Sequence, residues 1–186
     1  MKIFISGGCK NGKSYYAQHL AKALQTGVLY YVATMRSVDS EDDERILRHR
    51  RERDGWGFIT VEQPVDVGEI LSKCDRNGSI LLDSVTALLA NEMFLPDGSV
   101  NENAADKIIR EFWEILKNIE NIVIVSDYIY SDAFLYDATT EKYRKSLAEI
   151  DRALAKFCDV ALEVAYTNIT ARKGSEAFDL IREKIF

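Results

Sequence analysis

Three groups of residues in this chain have types and spacings that could do chemistry. The first is Gly7-Gly8-Cys9-Lys10-Asn11-Gly12-Lys13-Ser14, of the form G-x-x-x-x-G-K-S. The apolar run Lys2–Ser6 leads into it and a helical pattern follows, the strand–loop–helix setting of a phosphate-binding P-loop. Gly7 and Gly12 let the backbone turn tightly and bring its N–H groups against an anion, and the next helix points its positive end at the same place. Lys13 is expected on the β- and γ-phosphates, and the Ser14 hydroxyl on Mg²⁺.

The second group is the run 40–53, where five arginines fall between positions 45 and 53 around His49. Ser40 with Asp43 makes a capping pattern, and acid at the start with arginine at the end suits a helix dipole, which explains the charge order without any function. Arg45, His49 and Arg53, however, recur at four-residue spacing and share one face. Such a face could grip phosphates with planar guanidinium groups while presenting a neutral ring nitrogen able to attack phosphorus. The third is Asp83, which closes the apolar run Ser79–Leu82. In a P-loop protein an acid at the end of a neighbouring strand holds the water shell of Mg²⁺; a helix cap at the same place is the plainer account.

The elements that must position these groups follow from periodicity. Strands are expected at 2–6, 28–34, 58–61, 79–83, 121–125 and 159–164, and helices at 13–25, 41–53, 65–73, from Ser84, 104–119 and 143–157. Leu95–Asn103 reads as a surface loop, and 127–140 as a long loop carrying Tyr128, Tyr130, Phe134 and Tyr136. Strands alternating with helices make an α/β fold, a P-loop nucleotide-binding domain with a largely parallel sheet flanked by helices and ligands at the carboxyl ends of the strands. With 186 residues, 47% of them hydrophobic, one domain spanning 1–186 is expected. A net charge of −6 argues against nucleic acid or an anionic membrane as the partner. No apolar run is long enough to span a bilayer, and the first residues lack the layout of a signal peptide. Cys9, Cys74 and Cys158 read as reduced thiols, so a cytoplasmic protein is expected.

Beyond these patterns, an ordered set of blocks carries a resemblance. The near-terminal Gly-Gly-x-x-x-Gly-Lys-Ser loop is followed by Tyr31-Val32-Ala33-Thr34 and Arg45-Ile46-x-x-His49-Arg50-x-x-Arg53. After these come Thr60-Val61-Glu62-Gln63-Pro64 and Ile80-Leu81-Leu82-Asp83-Ser84-Val85-Thr86. Together they resemble the adenosylcobinamide kinase / adenosylcobinamide-phosphate guanylyltransferase family of cobalamin assembly, from residue 1 to about 94. The resemblance implies a trimeric P-loop enzyme that phosphorylates the corrinoid and then transfers GMP from GTP through a guanylylated histidine. His49 falls on that histidine. The implied nucleotide contacts are Gly7, Gly8, Cys9, Lys10, Asn11, Gly12, Lys13 and Ser14 in the loop, with Ala33, Thr34 and Met35. Arg50, Arg51, Glu52, Arg53, Glu62 and Asp83 complete them. The partners would be a nucleoside triphosphate, GTP with ATP as an alternative, and a corrinoid acceptor.

The chain also departs from the family pattern. Arg53-Asp54 stands for Arg-Pro, and the spacing to Thr60 is one residue longer. Ser126-Asp127-Tyr128-Ile129 stands where the family has Asn-Glu-Val-Gly, and 143–152 replaces a second family motif. On that ground nucleotide loading is expected to persist and cobinamide phosphorylation to be weak or absent. A P-loop kinase of another small alcohol and a non-catalytic nucleotide sensor remain the alternatives.

Overall fold

The computed structural model describes residues 1–37, 44, 47, 50, 51, 53–183 and 185. Short runs of β-branched and aliphatic residues form its strands: β1 (Lys2–Gly7), β2 (Leu29–Ala33), β3 (Phe58–Glu62), β4 (Ser79–Asp83), β5 (Asn121–Asp127), β6 (Val160–Ala165) and β7 (Asn168–Lys173). They join in one sheet of order β3-β2-β4-β5-β1-β6-β7, parallel except for β7, which runs antiparallel to β6.

The central strands are buried on both faces because helices cover both. On one face Phe4, Ile80, Leu82, Ile122 and Ile124 pack against α3 (Val85–Met93), α4 (Ala104–Asn118) and α5 (Ala138–Phe157). On the other, Ile3, Ile5, Leu81, Val123 and Val125 meet α1 (Lys13–Ala23) and α6 (Ser175–Arg182). Alternate residues of each strand thus feed two separate cores, as the two-residue side-chain period requires. The segment expected to be a helix over 65–73 is a 3₁₀ turn, Val67–Glu69, followed by the one-turn α2 (Ile70–Lys73). Of the expected helix 41–53, the described positions 44, 47, 50 and 51 are helical.

Two expectations change at the carboxyl end. Helix α5 begins at Ala138, not Tyr143, because the Asp137 carboxylate accepts hydrogen bonds from the N–H groups of Thr139 (2.9 Å) and Thr140 (3.0 Å). The strand β7 and helix α6 were not expected. Tyr166 and Thr167, both at positive φ (51° and 62°), make the two-residue turn from β6 into β7. The irregular loop is therefore 128–137. Buried Arg144 pins it, reaching the carbonyls of Ile129 and Phe134 and the Asp132 and Glu141 carboxylates. No helix among the described residues is long and apolar enough to cross a membrane.

Candidate active site

The P-loop joins β1 to α1 at the carboxyl edge of the sheet. A side chain at Gly7 would collide with the Val164 carbonyl oxygen, and Gly12 precedes the helix at φ +93°. The Asn11 amide bonds the same Val164 carbonyl, tying the loop to β6. Lys13 folds back over the loop and is only 6% exposed. Its ammonium donates to the Gly8 carbonyl at 2.6 Å and pairs with Asp127 Oδ1 at 2.5 Å. Ser14, half-buried, is the second residue of α1, and Cys9 is exposed on the loop.

Asp127 is the functional group that the sequence reading missed. It ends β5, the strand hydrogen-bonded to β1, in register with Gly7. Asp83 ends β4, which β5 separates from β1. The acid on the strand next to the P-loop is therefore Asp127, which corrects the expectation that Asp83 closes a neighbouring strand. The cap of α3 is likewise not Asp83 but Ser84, whose hydroxyl accepts from the Ala87 N–H.

Asp83 instead belongs to a cluster that faces a cleft. The Tyr31 hydroxyl donates to Asp83 Oδ2 at 3.1 Å, and the Arg53 guanidinium carbon lies 3.3 Å from the centre of the Tyr31 ring. Burial, with Asp83 beside it, pushes the Tyr31 phenol well above its usual range. Burial lowers the Arg53 guanidinium below its ordinary value, while Tyr31 and Asp83 act the other way. Arg53 is 7% exposed, yet its Nη1 has no hydrogen-bond partner among the described residues.

The cleft holds about 810 Å³ between the ends of β2 and β3, the side chains of Leu47, Arg50 and Arg53, α3 and the start of α5. Ala33, Met35, Arg50, Arg53, Glu62 and Asp83, all expected nucleotide contacts, line it together. Asp127, Thr86 and Tyr143 extend it toward Lys13. Arg50 and Glu62 form an exposed ion pair at 3.2 Å. Thr34 stands apart: it is fully buried, and its hydroxyl bonds both the C=O and the N–H of Ser84 at 2.7 Å. Arg51 is exposed, while His49 and Glu52 lie outside the described residues.

A largely parallel α/β sheet with a glycine loop, a buried lysine and two carboxylates at its carboxyl edge defines a P-loop nucleotide-binding protein. Among solved structures the flagellar accessory protein FlaH from Methanocaldococcus jannaschii shares this fold. Its TM-score is 0.51 at 14% identity, over 92% of this chain and 77% of that one. Residues 3–167 match the family described as cobinamide kinase / cobinamide phosphate guanyltransferase, and the chain belongs to that family. Two curated relatives agree. The bifunctional adenosylcobalamin biosynthesis protein CobP of Pseudomonas aeruginosa is 26% identical over 86% of this chain and 90% of its own length. The protein of the same description, CobU, from Escherichia coli is 32% identical over 50% of this chain and 51% of its own.

Proposed function

We propose that this protein is a bifunctional enzyme of cobalamin assembly, phosphorylating adenosylcobinamide and transferring GMP from GTP to the resulting phosphate. The observation that carries this reading is Arg53: a buried cation whose Nη1 has no partner among the described residues, facing a cleft that is also lined by Asp127, the ion-pair partner of Lys13. A buried donor without a partner is costly, and a phosphate oxygen would satisfy it. The site thus offers two separate grips on phosphate, one at the P-loop and one at Arg53, as an enzyme that handles two phosphorylated substrates needs.

In the guanylyl step a neutral His49 nitrogen attacks the α-phosphorus of GTP, a P–N bond forms, and pyrophosphate leaves with the electrons of the broken P–O bond. An oxygen of the cobinamide phosphate then attacks the same phosphorus, and the P–N bond breaks to release His49. Lys13, Arg50 and Arg53 stabilise the phosphate charge. Mg²⁺ bound by one or two carboxylates and the substrate phosphates would add Lewis-acid stabilisation; Ser14 and Asp83 would hold it, with Asp127 in the same cleft. The reading includes a cytoplasmic location and a trimer.

Intact-mass spectrometry after incubation with GTP tests the chemistry. The wild type should gain a GMP adduct that is acid-labile and base-stable, and His49→Asn should gain none. An adduct that survives in the variant would move the nucleophile elsewhere. No adduct in either protein would remove the guanylyl step.

A further inference from the structure

The contacts of Lys13 point to an exchange. We propose that Asp127 holds Lys13 while the P-loop is empty and gives it up to the terminal phosphates of the nucleotide. The freed carboxylate then takes the proton of the acceptor hydroxyl during phosphoryl transfer. This rests on the kinase half of the function proposed above.

A P-loop lysine is needed on the β- and γ-phosphates, but here its ammonium is already committed to the Gly8 carbonyl and to Asp127 at 2.5 Å. The incoming phosphates compete with Asp127 for the same cation and repel its charge. The lysine therefore moves to the phosphates and the carboxylate turns away from them. The turn is confined to the side chain, because the Asp127 backbone is fixed at the end of a central strand. Its N–H donates to the Thr86 hydroxyl at 2.9 Å, and Gly7 pairs with it across the ladder.

The direction left open to the carboxylate is the cleft. Asp127, 17% exposed at its side chain, lines that cleft between Thr86 and Tyr143. Tyr143 is held there by its hydroxyl, which donates to the Thr86 carbonyl at 2.7 Å. An acceptor in the cleft thus meets Asp127 at the edge nearest the transferred phosphoryl group. The acceptor O–H proton passes to a carboxylate oxygen of Asp127 as the acceptor oxygen bonds to the γ-phosphorus. The bond from that phosphorus to the β,γ-bridging oxygen breaks, and its electron pair leaves with the nucleoside diphosphate. The carboxyl group returns its proton to water after release. In the replaced stretch Ser126-Asp127-Tyr128-Ile129 the acid stands second, as it does in Asn-Glu-Val-Gly.

The test measures two quantities on wild type, Asp127→Asn and Asp127→Glu. The first is the affinity for a non-hydrolysable GTP or ATP analogue with Mg²⁺ and no acceptor; the second is the steady-state phosphorylation of adenosylcobinamide. Asp127→Asn should bind the analogue roughly tenfold more tightly, since the competing ion pair is gone. Its kcat should fall about 10²–10⁴-fold, the span of general-base contributions, with little change in the acceptor KM. Asp127→Glu should recover part of the rate. Weaker nucleotide binding by Asp127→Asn would overturn the exchange and make Asp127 a support for Lys13 or the metal. A retained kcat would overturn its role as base. A wild type that binds nucleotide but phosphorylates no cobinamide would refute the kinase reading and the base with it, leaving affinity alone to decide the exchange.

Discussion

Replacing Arg53 by methionine should separate what the residue does for the fold from what it does for the ligand. In the empty protein its guanidinium stacks 3.3 Å from the centre of the Tyr31 ring, and such contacts, when desolvated, are worth about 2 kcal/mol. Against this stands a buried cationic donor, Nη1, without a partner among the described residues, a defect that costs about 1–3 kcal/mol. The two nearly cancel, and methionine fills a similar apolar volume. Arg53→Met should therefore change stability by no more than about 1 kcal/mol, or roughly 3 °C in Tm for a chain of this length. The nucleotide complex has no such cancellation. A charged hydrogen bond from Nη1 to phosphate is worth about 1.5–3 kcal/mol, so affinity for GTP should fall about 30-fold. Titration calorimetry with GTP and Mg²⁺, paired with thermal unfolding of the empty protein, reads both quantities. A variant that loses about 10 °C in Tm and binds GTP as tightly as wild type would show Arg53 to be structural and refute the reasoning.

Two further outcomes are expected. Asp151, buried on α5 with Tyr130 donating to its Oδ2 at 2.8 Å, has its carboxyl pushed by burial from 3.8 to about 6. The folded state then binds the proton more tightly than the unfolded one. Stability is greatest below pH 3.8 for this group and falls by about 3 kcal/mol as pH rises to 6. Urea titrations at pH 4, 5 and 7 should show Asp151→Asn losing this slope, and parallel profiles for variant and wild type would reject the assignment. Cys9, exposed on the P-loop, should be alkylated about a hundredfold more slowly when GTP and Mg²⁺ are present at a hundred times Kd. Equal rates with and without nucleotide would place the ligand away from this loop.

How much of this was legible in the residues depends on the distance over which each feature is encoded. The P-loop is local: its glycines, lysine and serine sit within eight positions, and the apolar run before them marks a buried strand. The parallel sheet is nearly as local, since runs such as Ser79–Asp83 and Asn121–Val125 alternate with helical patterns. The turn into β7 is also short, but it uses Tyr166 and Thr167 at positive φ where asparagine or glycine would have announced it. The strand itself lies at the sheet edge, and only Ile169 and Ala171 alternate inward against the core, a run too short and too weakly apolar to stand out. The first turn of α5 is polar up to Tyr143, and only Asp137 as a cap signals it.

That Asp127 was overlooked has a different cause. Asp83 drew attention because it directly follows Leu82, whereas Ser126 stands between Val125 and Asp127 and makes the apolar run appear to end early. Even with β5 drawn to its full length, the choice between the two acids turns on strand order. That order is set by which strand wins the place beside β1, a competition between segments about 120 residues apart in β1 and β5. Arg53 was found for a reason that its contacts only partly share. It was counted among the arginines of a helix face, yet what orients its guanidinium is Tyr31 on β2, a packing partner twenty-two positions away that no period within one helix could name. Residue types therefore mark a P-loop fold well, while the pairing of Lys13 with Asp127 and the stacking of Arg53 on Tyr31 exist only once the sheet is assembled.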